Sequence, residues 1–270
     1  RRHCDHELGI YDCQNGEEPV ISGSYGSGAV FFSGCTLRCR FCQNYEISAN
    51  GAGRALTSAQ LRDVFLRLID EGVQNINLVT PTQFLPSIVP ALTPKLPVPV
   101  VYNCGGYESV ETLRQLEGLI DVYLPDYKYS DAQLAARLSA APDYPEIADT
   151  AIREMVRQTG PAAIEDEQLV RGTLVRHLVL PGYLDNTLGA LDWFAETFPR
   201  GDVLLSLMSQ YTPLESLDAV KYPELNRKVP EYAYEKLVDY AISLGVMQAF
   251  IQEGDTAKES FIPPFTLEGV

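Results

Sequence analysis

Apolar positions along the chain follow two alternating rhythms. Short, nearly continuous β-rich runs at 28–34, 75–80, 98–103, 120–125, 173–180, 203–208 and 247–252 read as strands. Such uninterrupted runs suit strands covered on both faces. Between them lie stretches with a helical period. In the clearest one, Leu61, Val64, Phe65, Leu68 and Ile69 repeat at i, i+3, i+4, i+7 and i+8. Thr57 with Gln60 supplies a capping box at its start, and Gly72 ends it. Further helices are predicted at 109–117 capped by Ser109, at 187–198 after Asn186, and at 231–244 with Pro230 at the first position. Region 131–170 reads as a long, mostly helical excursion between the fourth and fifth strands. Region 212–229 has two prolines and no period, so it reads as a loop long enough to form a lid or a binding surface. Strands alternating with helices predict an α/β fold with a parallel sheet, either a TIM-like barrel or an open doubly wound sheet, of about six βα units.

Composition narrows the function classes. The 270 residues are 46% hydrophobic and 21% charged, which is ordinary for a globular protein and excludes disorder. Lysine and arginine against aspartate and glutamate give 21 − 36 = −15. So acidic a surface repels phosphate backbones and anionic lipid, so neither nucleic acid nor membrane is expected as a primary partner. No apolar run approaches the roughly 18–20 residues of a membrane helix, and the first 30 residues lack a signal-peptide core. A cytoplasmic location is the resulting expectation. The chain opens at Arg1-Arg2 without Met, so residues 1–16 read as a separate, truncated N-terminal segment. Residues 17–270 then form the main domain with a C-terminal extension.

Six cysteines are too few for a disulfide scaffold, but three of them, Cys35, Cys39 and Cys42, fall within eight positions directly after the first predicted strand. Three thiolates on one short loop can hold a metal centre, and the choice lies between zinc and iron–sulfur. A closed zinc site wants a fourth ligand, which would have to come from Cys4, Cys13, His3 or His6 at the N-terminus. A [4Fe–4S] cluster on three cysteines leaves one iron open for a substrate. A third reading is three buried structural thiols.

CxxxCxxC with Phe41 before its last cysteine resembles the signature of the radical S-adenosylmethionine (SAM) superfamily. The wider text, GSGAVFFSGCTLRCRFCQNYEIS with VYNCGGYE, IDVYLPDYKY and VRHLVLPG, is similar to the branch containing pyruvate formate-lyase activating enzyme and its homologues. The resemblance implies an incomplete parallel (β/α)6 TIM-like barrel with the cluster at its C-terminal mouth. It also implies that Cys35, Cys39 and Cys42 bind three irons while SAM chelates the fourth. Reductive cleavage of SAM then yields a 5′-deoxyadenosyl radical for hydrogen abstraction. The branch suggests a glycyl radical enzyme as protein substrate and flavodoxin or ferredoxin as electron donor. Alternative readings are radical SAM modification of another peptide or small molecule and, from a different class, a noncatalytic iron–sulfur electron carrier or a zinc-stabilised binding module.

The same resemblance selects further site residues. The Gly-Gly-Glu that holds the SAM amine in activating enzymes is missing, leaving Thr80, Thr82 or a backbone carbonyl in its place. Asn103 matches a polar position at the SAM carboxylate, and Gly105-Gly106 would let backbone approach a ligand closely. Cys104 is read as a small buried residue. Asp126 and Lys128 alternate onto one side of their strand, where they should pair. Arg176, in mid-strand, needs an anion, and the SAM carboxylate is the natural one. His177 points the other way and is read as structural. Gln210 takes the place of a histidine near the adenosyl group. Arg38 and Arg40 flank Cys39 in an acidic chain, where they would favour a reduced cluster and dock an acidic electron donor.

Overall fold

The computed structural model describes residues 6–14, 18–215, 217–246 and 249–252, and for 6–14 and 249–252 the backbone alone. The elements in chain order are β1 (His6–Gln14), α1 (Pro19–Ser22), β2 (Ser27–Phe32), α2 (Tyr45–Ser48), β3 (Arg54–Leu56), α3 (Ser58–Asp70), β4 (Ile76–Val79), α4 (Leu85–Ala91), β5 (Val100–Cys104) and α5 (Val110–Arg114). They continue with β6 (Val122–Pro125), α6 (Ala132–Ser139), α7 (Tyr144–Thr159), β7 (Ala163–Glu165), β8 (Gln168–Leu178), α8 (Leu184–Thr197), β9 (Leu204–Met208), α9 (Glu231–Ser243) and β10 (Ala249–Gln252).

Seven strands, β2-β4-β5-β6-β8-β9-β10, run parallel, and helices cross between them. β1 pairs antiparallel with β2 and carries β3 on its far edge, so the sheet continues into the N-terminal segment. The two sheet ends, β10 and β3, are not paired to each other, which makes this an open, partial TIM-like barrel. Successive residues alternate between two cores. Val30, Phe32, Ile76, Leu78 and Tyr102 pack with Phe65 and Leu68 of α3 on the helix side. Val101, Val122, Leu124, Leu174 and Leu204 face inward, where Val20 and Ile21 of α1 join them. That inward face turns polar at the C-terminal ends of β5, β6 and β8, the usual place for a site in this architecture.

Helix α3 follows the sequence closely: both capping-box bonds form, Gln60 N–H to Thr57 Oγ1 at 3.3 Å and Thr57 N–H to Gln60 Oε1 at 2.9 Å. Other boundaries differ. The 109–117 helix shortens to Val110–Arg114, and Pro230 caps α9 rather than opening its first turn. α8 begins at Leu184, two residues before the expected cap, because the Asn186 amide serves elsewhere. It accepts from Ser130 N–H at 2.9 Å and donates to Lys128 O at 3.0 Å, fastening the loop after β6. The 131–170 excursion resolves into α6, α7 and a hairpin, β7–β8, so the fifth predicted strand starts at 168 rather than 173. Its two turn residues, Asp166 and Glu167, have φ of 47° and 66°, as a type I′ turn requires. Lacking glycine, that turn carried no sequence signal. Of the 247–252 strand, residues 247 and 248 lie outside the described residues. The described helices include none long and apolar enough to cross a membrane.

Candidate active site

The cysteines sit on the loop between β2 and α2, which is held from outside rather than by its own regular structure. Gly34, at φ 83°, turns the chain out of β2. Gln83 of the β4–α4 connection donates to Ser33 O and Gly34 O, both at 2.8 Å. Leu37 and Phe41 are buried, and Phe41 meets Tyr129 and Tyr211 edge-on at 6.5 Å. The C-terminal end of α6 clamps the middle of the loop, with Arg38 N–H to Ser139 O at 3.3 Å and Arg40 N–H to Leu138 O at 2.8 Å. Two hydroxyls reach the sulfurs: Ser139 Oγ donates to Cys39 Sγ at 3.0 Å, and Ser48 Oγ lies 3.2 Å from Cys42 Sγ. As free thiols, Cys39 is pushed up to about 11 by burial and Cys35 is raised for the same reason, while the charge of Lys128 pulls both the other way.

The facing wall is built by strand register. Asp126 bridges to Arg176 across β6 and β8. Arg176 Nε donates to Asp126 Oδ1 at 2.9 Å and Nη2 to Asn103 Oδ1 at 2.6 Å, while Lys128 Nζ donates to Asp126 Oδ2 at 2.5 Å. The three charged side chains are only 14% to 20% exposed, and Asn103 is buried. Burial alone would raise Asp126, but Arg176 and Lys128 outweigh it and hold the carboxyl below its ordinary value. Burial would likewise lower Lys128, but Asp126 and Cys39 keep it raised. Within the protein itself, the Arg176 guanidinium thus already meets the Asp126 carboxylate.

Thr80, just past β4, has φ 59°, a left-handed conformation that costs a β-branched residue on the order of 1–3 kcal/mol and is typical of functional sites. Asn103 lies in β5 itself. The paired glycines serve the scaffold: a Cβ on Gly106 would fall 2.2 Å from Asp126 O, and one on Gly105 would fall 3.0 Å from Leu37. Within the protein, the close approach is to Asp126 after β6 and to Leu37 of the cysteine loop, and Gly105 also lines the inner cavity. Cys104 is buried. His177 is buried on the helix side, between Tyr127 O at 2.6 Å and Thr187 Oγ1 at 3.0 Å, and burial brings it down to about 4.

All nine residues selected from the sequence line one cavity of about 290 Å³: Cys35, Cys39, Cys42, Thr80, Asn103, Asp126, Lys128, Arg176 and Gln210. Phe31, Val79, Leu178 and Met208 add apolar wall. Thr82, the other candidate beside Thr80, instead donates to Glu108 at 2.7 Å, away from this cavity. A second cleft of about 520 Å³ opens on the outer side of the same three cysteines, between Arg38, Arg40 and Tyr45 on one side and Leu214, Leu217, Lys221 and Tyr222 on the other. The 212–229 loop thus forms a wall over the cysteines. Arg137 anchors it, ion-paired to Glu224 at 2.7 Å and lying over the Tyr222 ring at 5.6 Å.

Among the described residues, no three His, Cys, Asp or Glu side chains converge as a single-ion site. A cluster asks for less convergence, because each cysteine takes a different iron. Three thiols on one cavity wall, two with hydroxyls at their sulfurs, fit that group. The polar wall opposite offers acceptors and cations suited to an amino acid's ammonium and carboxylate. Cys4, Cys13, His3 and His6, the alternative zinc ligands, have side chains outside the described residues.

Sequence reasoning missed Ser48, Gln83, Glu108 and Ser139. Glu108 is buried, accepting from Thr82 at 2.7 Å and Tyr102 at 3.4 Å, and burial raises its carboxyl to about 7. It ties the β4 and β5 loops together. Ser139 lies 100 positions from the cysteine it bonds, so no local motif could have shown it.

Comparison with known proteins agrees with this fold. Residues 29–155 match the family model described as Radical SAM superfamily. An uncharacterised protein of Methanocaldococcus jannaschii is 30% identical over 237 residues, covering 84% of this chain and 64% of its own length. Among solved structures, methylornithine synthase (PylB) superposes with a TM-score of 0.56 at 15% identity, covering 89% of this chain and 74% of its own. SuiB of Streptococcus suis bound to S-adenosylmethionine gives 0.56 at 12% identity, over 82% and 48%. The FeFe-hydrogenase maturase HydG of Carboxydothermus hydrogenoformans gives 0.52 at 13%, over 84% and 58%. At these identities the structures speak for the fold. In sequence, residues 29–155, which include the three cysteines, are similar to the radical SAM superfamily.

Proposed function

We propose that this protein is a radical SAM enzyme whose inner cavity holds SAM against a [4Fe–4S] cluster on Cys35, Cys39 and Cys42. The observation that carries the reading is the cavity itself, with three thiols on one wall and the Asn103–Arg176–Asp126–Lys128 network on the other. When bound and reduced, the cluster supplies the electron that splits SAM into methionine and a 5′-deoxyadenosyl radical. The chain's own residues then have separable tasks. The cysteine loop, clamped by α6, presents its thiols to the cavity. Arg176 and Lys128, both paired to Asp126, offer cations to a carboxylate. Asn103, Thr80 and Gln210 offer polar contacts to the amine and the nucleoside. Phe31, Val79, Leu178 and Met208 exclude water from that space.

The text shared with activating enzymes favours a glycyl radical enzyme as the substrate, with hydrogen taken from its glycine. Flavodoxin or ferredoxin is the matching electron donor, and the exposed Arg38 and Arg40 beside the outer cleft suit an acidic carrier. An electron carrier without catalysis fits less well, because it needs no polar cavity beside its cluster. Anaerobic reconstitution tests the proposal. Iron and acid-labile sulfide in equal amounts, lost when any one of the three cysteines becomes alanine, would support it. Zinc without sulfide would overturn it. The substrate reading has its own test, a glycine-centred radical on the partner enzyme seen by electron paramagnetic resonance (EPR).

A further inference from the structure

The cysteine loop is bonded to one short segment at three points. The backbone N–H groups on either side of Cys39, those of Arg38 and Arg40, donate to the carbonyls of Ser139 and Leu138 at 3.3 and 2.8 Å. Between those two bonds, the Ser139 hydroxyl donates to Cys39 Sγ at 3.0 Å. Ser139 is buried, and its oxygen lies 2.6 Å from the hydroxyl of Tyr129, which is fully buried in the core. With the Ser139 proton committed to sulfur, Tyr129 donates to Ser139. The result is a relay of two O–H groups running from the core to a single sulfur. Cys42 has a hydroxyl neighbour in Ser48, at 3.2 Å and on the loop's own helix. Cys39 alone is reached from across the barrel, 100 positions away in the chain.

Both ends of this relay are fixed. Ser139 sits at the last residue of α6, where Ala140 turns left-handed at φ 55° and the helix stops. Tyr129 is packed edge-on against Phe41 at 6.5 Å and Tyr144 at 5.3 Å. Phe41 belongs to the cysteine loop itself, so the ring that orients Tyr129 moves with the sulfurs. A donor with its rotamer locked in this way keeps its bond to a thiolate when the charge on that thiolate changes. Hydrogen bonds to cluster sulfurs stabilise the form with more negative charge, which is the reduced one.

We infer that Ser139 is a positioning residue for cluster reduction: its hydroxyl, oriented by Tyr129, raises the reduction potential of the cluster through Cys39. This rests on the cluster proposed above and adds a role that the cysteine motif does not contain. The two backbone bonds hold the loop, and the hydroxyl tunes what the loop carries. Because the backbone bonds do not involve the side chain, they survive in an alanine variant, and the two roles separate.

The test is an EPR-monitored redox titration of the reconstituted full chain, with iron and sulfide measured on each sample. In Ser139→Ala, iron and sulfide should match the parent. At the parent's midpoint potential, the reduced-to-oxidised ratio should fall about three- to tenfold, a downward shift of about 30–60 mV at 59 mV per tenfold. Tyr129→Phe should shift the same way by less, with the cluster intact, and Ser139→Thr should restore most of the difference. An unchanged midpoint in a fully loaded Ser139→Ala protein would overturn the inference while leaving the cluster reading intact. So would an upward shift in either variant. Loss of cluster in Ser139→Ala together with an unshifted Tyr129→Phe would make the segment a scaffold only, again overturning it. Failure of the parent to bind iron and sulfide is a different result and speaks against the proposed function instead.

Discussion

The two walls of the inner cavity are built by opposite means. The cysteine wall is a loop of little regular structure, fastened by Gln83, by the end of α6 and by two buried apolar side chains. The facing wall is built at the ends of strands, where Asn103, Asp126 and Arg176, with Lys128 just past β6, meet through charge and register. The first wall is chemically open: its thiols are held by the scaffold but not used by it. The second is closed around Asp126, the carboxylate that both cations share. Substitutions on the cysteine wall should therefore cost function with little effect on the fold, and those on the strand wall should cost fold stability as well.

The largest effect expected is the loss of iron and sulfide in Cys35→Ala, Cys39→Ala or Cys42→Ala. The unfolding free energy of the metal-free protein should stay within about 1 kcal/mol of the parent, because these thiols fill only part-buried positions. A collapse in apo stability would break the comparison, since the cysteines would then be structural. Next in size is Asp126→Asn. It keeps the shape but removes the charge that both Arg176 and Lys128 meet in a site only slightly exposed, at an expected cost of about 3 kcal/mol in denaturant unfolding. A cost below about 1 kcal/mol would mean that solvent screens the network and the wall is not closed.

Glu108 sharpens the comparison by its pH dependence. Burial raises its folded carboxyl from 4.5 to about 7, so the folded state keeps a proton that the unfolded state has released. Its contribution is complete below about 4.5 and is lost as pH rises towards about 7. Glu108→Gln cannot lose a proton, so its stability relative to the parent should rise by roughly 2–3 kcal/mol between pH 4.5 and 8. A difference that stays flat over that range would place the charged carboxylate among better partners than Thr82 and Tyr102. The smallest effect is expected at the outer cleft. Arg137→Ala removes an exposed ion pair and a ring contact from the 212–229 loop, at about 1 kcal/mol or less. Faster proteolysis within that loop, without a change in global unfolding, is the expected readout.

The same contrast explains what the sequence made legible. Cys35, Cys39 and Cys42 could be read because their chemistry lies within eight positions. Helix α3 could be read because its cap and stripe are local. Asp126 with Lys128 needed only strand alternation. The bond from Arg176 to Asn103, 73 positions away, depended on a sheet order that no local pattern encodes. The Ser139 bond to Cys39 depended on where α6 stops, and the β7–β8 hairpin on a turn without glycine. The packing of the glycine pair after β5, Gly106 on Asp126 and Gly105 on Leu37 of the cysteine loop, likewise depended on tertiary neighbours that the local sequence does not show.

The central claim is that the two walls together bind SAM and present it for reductive cleavage. Its most direct test is product analysis after the reconstituted, dithionite-reduced protein is incubated with SAM. The account predicts methionine and 5′-deoxyadenosine in equal amounts, absent in the three cysteine variants and diminished in Arg176→Ala with its cluster retained. A fully loaded, reduced protein that leaves SAM intact would contradict it.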